Sequence, residues 1–234
     1  LGAVVFPDGL RAENLPVPQA KAKTRKAGAS ESTKVREAIR KLRGHASGLE
    51  VSLAYTDVDD ADLALFKELT TIELLDLTNT RITNAGLLHL KDLHALKHLN
   101  LSGTRVTDSG LRHLKGLTGL AGLALSRTKI SDGGLVHLKG LTDLEWLALS
   151  KTGITNAGLK QVKELTNLQT LHLNGTKVSD AGLIHLKDLY AIGNLDLSET
   201  RVTDAGLRHL KGLTSLHELY LDGTRVSNSG LKHL

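Results

Sequence analysis

Six histidines recur in one phase of this 234-residue chain: His89, His113, His137, His185, His209 and His233. Imidazoles in register can chelate a metal if two rings approach one ion at about 2 Å each. Here each ring lies between two leucines of a helical stretch, one per 24-residue unit, with no carboxylate or thiolate in phase. Neighbouring helical layers stand roughly 8–10 Å apart, too wide for easy sharing of an ion. The expectation is a half-exposed packing ridge with at most a weak collective response to pH.

A second constellation is acidic. TDVDDADLALFKE, residues 56–68, places Asp57, Asp59, Asp60, Asp62 and Glu68 close together. A calcium loop would need a ligand where Ala61 stands and a glycine where Asp62 stands, so no metal is expected. There is no GxSxG, no HExxH and no glycine-rich phosphate loop joining a strand to a helix. There is also no cysteine, which removes thiol nucleophiles and disulfides. The chain is expected not to be an enzyme and to carry no cofactor.

The elements that position these residues follow from an internal period. Thr56, Thr80, Thr104, Thr128, Thr152, Thr176, Thr200 and Thr224 are each 24 residues apart. Around Thr104 the unit reads LKHLNLSGTRVTDSGLRHLKGLTG. Leu96, Leu99 and Leu101 alternate with polar positions, which predicts a short strand with one buried face. Leu111, Leu114 and Leu117 are spaced by three, which predicts a short helix or helical turn. Between them, Thr107 or Asp108 is expected to cap the helix start. Gly110 and its counterparts are expected to permit close packing against the neighbouring coil. Aromatics are only 3% of the chain, so the core must be aliphatic. One unit buries too little to offset the ordering of its own backbone, so the units must stack into a continuous solenoid.

LxxLxLxxT followed by V/I-T-D-x-G-L-x-x-L resembles the leucine-rich-repeat family, in particular 24-residue repeats common in bacterial proteins. The ITDxGL part is also similar to the cysteine-containing repeats found with F-box proteins. The resemblance covers residues 49–234. It implies an α/β solenoid: a right-handed horseshoe with a parallel sheet on the concave face and short helices on the convex face. Threonine stands where the family's ladder has asparagine or cysteine, and its hydroxyl can make only part of that hydrogen-bond network.

The first unit is worn, with Gly48, Asp62 and Phe66 at positions that are leucine, glycine and leucine elsewhere. Val35, Ile39 and Leu42 share one face of a predicted capping helix, so residues 33–48 are expected to cap the first coil. Residues 1–32 read as a linker and basic arm. Residues 1–48 carry ten Lys/Arg against four Asp/Glu, while the repeats carry 20 against 21. The high pI therefore belongs to the arm. No apolar run approaches the roughly 20 residues of a membrane span. With no methionine and an end at Leu234 inside the last unit, the chain is expected to be a monomer or part of a longer chain.

In the solenoid, non-core strand positions stack in columns about 4.8 Å apart on one face. One column reads Leu74, His98, Gly122, Trp146, Thr170, Asn194, Glu218. The next reads Asp76, Asn100, Ala124, Ala148, His172, Asp196, Tyr220. The third reads Thr78, Ser102, Ser126, Ser150, Asn174, Ser198, Asp222. The single tryptophan beside Gly122, Ala124 and Ala148 is expected to be an exposed aromatic in a shallow patch, a favoured kind of binding anchor. The expected partner-binding residues are Trp146, His172, Tyr220, His98, Asn174, Asp196 and Asp222. The expected function is a non-catalytic module that binds a protein or peptide; nucleic acid is not expected on the repeats. The alternatives are an accessory or sensor arm of a larger protein such as a kinase, and polyanion binding by the basic arm at Lys21–Lys26 and Lys34–Arg43. A basic column after the ladder threonine, Arg81, Arg105, Lys129, Lys177, Arg201 and Arg225, flanks this face and is read as a solvated edge that could steer an acidic partner.

Overall fold

The computed structural model describes residues 36, 37, 39 and 48–234. Among these, eight short strands form one parallel sheet in chain order: β1 Leu49–Ser52, β2 Ile72–Asp76, β3 His98–Asn100, β4 Gly122–Ala124, β5 Trp146–Ala148, β6 Thr170–His172, β7 Asn194–Asp196 and β8 Glu218–Tyr220. Between them lie α1 Asp60–Leu63, α2 Asn84–Leu87, α3 Asp108–Leu111, α4 Asp132–Leu135, α5 Asn156–Val162, α6 Asp180–Leu183 and α7 Asp204–Leu207. Strand register follows the repeat: Leu75, Leu99, Leu123, Leu147, Leu171, Leu195 and Leu219 pair in line. The leucines of strands and helical turns meet in one aliphatic core that runs the length of the stack, with Phe66 in the first unit. This is the expected leucine-rich-repeat solenoid.

Each ladder threonine is buried or half-buried, and its hydroxyl donates to the carbonyl three residues back, as Thr104 does to Leu101 at 2.6 Å. That bond closes the turn leaving the strand. The turn needs left-handed backbone at the residue before the threonine, which is Gly103, Gly175 or Gly223 in three units. Asn79 takes that conformation readily; Tyr55, Arg127, Lys151 and Glu199 adopt it despite their side chains.

The aspartate of the T/S-D segment does not act as expected. Asp108 does not cap its own helix, and neither does Thr107. The Asp108 carboxylate instead reaches the next coil, where it accepts the Ser131 backbone N–H at 2.7 Å and the Ser131 hydroxyl. The same link runs from Asp60 to Thr83, Asn84 to Thr107, Asp132 to Thr155, Asn156 to Ser179, Asp180 to Thr203 and Asp204 to Ser227. Where asparagine replaces aspartate, its amide donates to the facing hydroxyl instead of accepting from it. Thr83, Thr155 and Thr203 do cap, each accepting from the backbone N–H two residues on.

This link explains the repeat glycine. A Cβ on Gly134 would sit 2.6 Å from Asp108 Oδ1, and one on Gly182 would sit 2.6 Å from Asn156 Oδ1. The first coil has no preceding carboxylate, and there Asp62 replaces the glycine. It is 2% exposed, accepts from Arg36 Nε and from the Asp59 backbone N–H, and completes a capping box with Asp59. Arg36 and Ile39 are helical, and Ile39 is buried in the core cluster. Val35, Leu42 and the arm of residues 1–32 lie outside the described residues.

Gly134→Ala is expected to lower stability by about 1–3 kcal/mol through overpacking, and Asp108→Ala by about 1.5–3 kcal/mol through loss of charge-assisted bonds. The double variant should lose less than the sum, because removing the carboxylate makes room for the added methyl. Urea denaturation of the four proteins measures this coupling.

Candidate partner-binding face

The period-two strands send leucines inward and the three expected columns outward onto the concave face, with Trp146 paired between Gly122 and Thr170. The face divides into two halves. In the first half it is closed: Leu74, Asp76, Asn100, Gly122 and Ala124 are all buried. In the second half His172, Asn174, Asn194 and Asp196 are half-buried, and Glu218, Tyr220 and Asp222 are exposed.

Trp146 is not the exposed anchor the sequence suggested. It is 3% exposed and forms a small apolar cluster with Ala124 and Ala148. The missing side chain at Gly122 makes this possible: a Cβ there would lie 3.4 Å from the indole and 2.5 Å from the His98 ring. His98 and Trp146 thus converge over Gly122 from opposite sides, while the His172 ring meets the indole edge-to-face with centroids 6.2 Å apart. Small residues beside a large one suggest an exposed ring in a shallow patch; in three dimensions the ring lies down over the small residues and is buried.

Asp76 is buried in the closed half. Its Oδ1 accepts from the Thr78 backbone N–H at 2.9 Å and the Thr78 hydroxyl at 2.6 Å. Burial still pushes this carboxyl above its ordinary range, against those two bonds. Asn100, one strand on, makes the corresponding bond to Ser102 without a charge.

The open half is acidic and aromatic. His172, Asp196 and Tyr220 lie side by side across β6, β7 and β8, and Thr170, Asn194 and Glu218 form the adjacent row. Asn194 donates its amide to Glu218, and the Tyr220 hydroxyl donates to the same carboxylate oxygen at 3.2 Å. The Glu218 charge and that bond raise the Tyr220 phenol, so it stays a hydrogen-bond donor. Burial lowers the His172 imidazole, opposed by Asp196 and by the Asn194 side chain. Asp196 Oδ1 accepts from the Ser198 backbone at 2.9 Å. Tyr220 is 45% exposed on the edge strand, and Asn174 and Asp222 continue the face toward the turns. None of the three columns contains a lysine or arginine.

The acidic segment of the first unit is committed to the fold. Asp57 pairs with Arg81, Asp59 caps α1, Asp60 links to Thr83 and Asp62 meets Arg36. Among the described residues there is no group of three or more His, Asp or Glu placed to hold a metal, and no helix long and apolar enough to cross a membrane. Of the ridge histidines, His89, His113, His137, His185 and His209 are half-buried. His113 and His185 are lowered first by burial and then by neighbouring cations.

The sequence matches a family described as Leucine Rich repeat at residues 92–114 and 164–187. Among solved structures the fold is similar to an internalin C2 from Listeria monocytogenes, with 27% identity and a TM-score of 0.63. That match covers 84% of this chain and 87% of the other. No curated protein sequence matches.

The histidine shifts carry a pH dependence. His113, His172 and His185 bind a proton less readily folded than unfolded, so stability is full above the unfolded imidazole value near about 6.5 and falls as pH drops through it. Thermal midpoints between pH 7.5 and 5 should decline, and less so for His172→Gln. Asp76→Asn should melt at or above wild type at pH 7, because it removes an unfavourable buried charge, with the difference shrinking toward pH 4. Gly122→Ala should cost about 1–3 kcal/mol and red-shift the emission of the single tryptophan.

Proposed function

We propose, for a chain that belongs to the leucine-rich-repeat family, that it is a non-catalytic binding module whose partner is a protein or peptide seated on the open half of the concave face. The fold is in general a protein-interaction scaffold, and many unrelated roles share it, so the site must carry the argument. The observation that supports this reading is the contrast between the two halves. One is sealed by Trp146, while the other presents Tyr220, His172 and Asn174 among Asp196, Glu218 and Asp222, which form no ion pair with a cation among the described residues. Tyrosine supplies rigid apolar area with a polar tip at small entropic cost. The surrounding carboxylates favour a lysine, an arginine or an amide from the partner.

In this reading Trp146 and His98 shape the face and Tyr220 anchors the partner. The chemistry available is recognition: three carboxylates on the open half, an imidazole whose burial favours its neutral form, and a phenol that donates.

Peptides selected by display on the wild-type chain provide the test. Tyr220→Ala and Asp196→Asn should each weaken the selected peptides by tenfold or more, about 1.4 kcal/mol, and Lys139→Gln on the convex side should leave them unchanged. Selected peptides that bind Tyr220→Ala and Asp196→Asn as tightly as wild type would overturn the concave assignment.

A further inference from the structure

The turns that leave the sheet carry a feature that the concave reading does not use. In each unit from the second onward, the residue after the ladder threonine donates its backbone N–H to the preceding coil, as Arg105 does to Ile82 at 2.9 Å and Arg201 to Val178 at 2.9 Å. The residue before the threonine makes a parallel link, such as Lys151 to Asn174 at 2.8 Å. Side chains at these two positions are therefore held in line, one coil per about 4.8 Å.

Arg81, Arg105, Lys129, Lys177, Arg201 and Arg225 fill the first line and are all exposed. Gly153 interrupts it. Arg127 and Lys151 occupy the second line in the two central units, and both hold the left-handed conformation, at φ 57° and 56°. Glycine serves at this position in three other units. A strained, non-glycine cation placed twice beside the line, once in the unit that lacks its own cation, points to selection for charge rather than for the turn.

The charge is segregated as well as aligned. These eight cations share their edge with Asp57 and Glu199, while the rest of residues 49–234 holds 12 basic and 19 acidic residues. Arg81 pairs with Asp57 and Lys151 lies 3.5 Å from Glu199. The other six form no ion pair among the described residues.

The geometry points to this edge as a binding site for an extended acidic peptide segment, running across the coils at right angles to the strands. Seven coils span about 29 Å, the length of about nine extended residues. Three half-buried serines of the third column, Ser126, Ser150 and Ser198, run beside the line and can bond the peptide backbone. The first line carries no aromatic side chain and the second only Tyr55, in the first unit, so there is no row of rings for successive bases to stack on, which disfavours a single-stranded nucleic acid. The site is separate from the open concave half and does not depend on that reading.

The test uses fluorescence anisotropy of labelled deca-glutamate with the full chain at about 50 mM salt. The edge variant Arg105→Gln/Lys129→Gln/Lys177→Gln/Arg201→Gln keeps every backbone bond. The convex variant Lys115→Gln/Lys139→Gln/Lys163→Gln/Lys187→Gln removes the same charge elsewhere. Both keep the basic arm, so its contribution cancels in the comparison. The edge variant should bind at least about tenfold more weakly than wild type and the convex variant within about twofold of it. Tyr220→Ala should not change this affinity. Equal losses in the two variants, no loss in the edge variant, or no binding by wild type would overturn the assignment. A labelled thymidine decamer bound more tightly than the peptide and lost in the edge variant would replace the peptide with a nucleic acid. Circular dichroism melting of both variants separates lost binding from lost fold.

Discussion

The bond from each coil's aspartate or asparagine to the next coil's backbone N–H organises the convex side of this molecule. It satisfies a donor that the following helical turn would otherwise leave unpaired, and it does so in seven successive coils from Asp60 to Asp204. It also dictates a neighbour, because the carboxylate or amide occupies the space of a Cβ at the repeat glycine. Hydroxyl, acid and glycine thus form one unit spread over two coils. At Asp204 three donors hold the carboxyl below its ordinary range. That contribution is present above the unfolded carboxylate value and is lost as pH falls through the folded one. The first coil shows the rule by its exception: with no acid behind it, it carries Asp62, which faces Arg36.

With the convex side locked and the leucines committed to the core, variation is left to the concave columns and the turns. The concave face uses that freedom in two ways. Near β3 to β5 it builds a second small core from Trp146, Ala124 and Ala148, made possible by Gly122. Toward β8 it leaves carboxylates, an imidazole and a tyrosine accessible. The turns use the same freedom to line up cations on one edge. A chain that is nearly neutral over its repeats is thereby divided into an acidic concave end and a basic rim, so one solenoid offers two surfaces of opposite charge.

The period of 24, the alternation HLNL and the spacing of leucines by three were enough to read the solenoid, its parallel sheet and its core, because burial is set by residue type and repeat distance alone. The ladder threonines and the crowded glycine were legible for the same reason: they hold one phase. The role of Asp108 was misread, because within one unit a threonine and an aspartate before a helix look like a cap. The recurrence of T/S-D or T/S-N in successive units was the available signal for a link between coils. Trp146 was misplaced because its exposure depends on what His98 and His172 do from neighbouring strands, 48 and 26 residues away in the chain.

By itself, then, the sequence determined which residues form the core, which point to the concave face and that the units must stack, since each follows from periodicity and from the inability of one coil to fold alone. Only the tertiary structure decided which concave positions are reachable and which coil each carboxylate serves. Both depend on side chains from adjacent coils competing for the same few ångströms, and the order of residues along the chain carries no record of that competition.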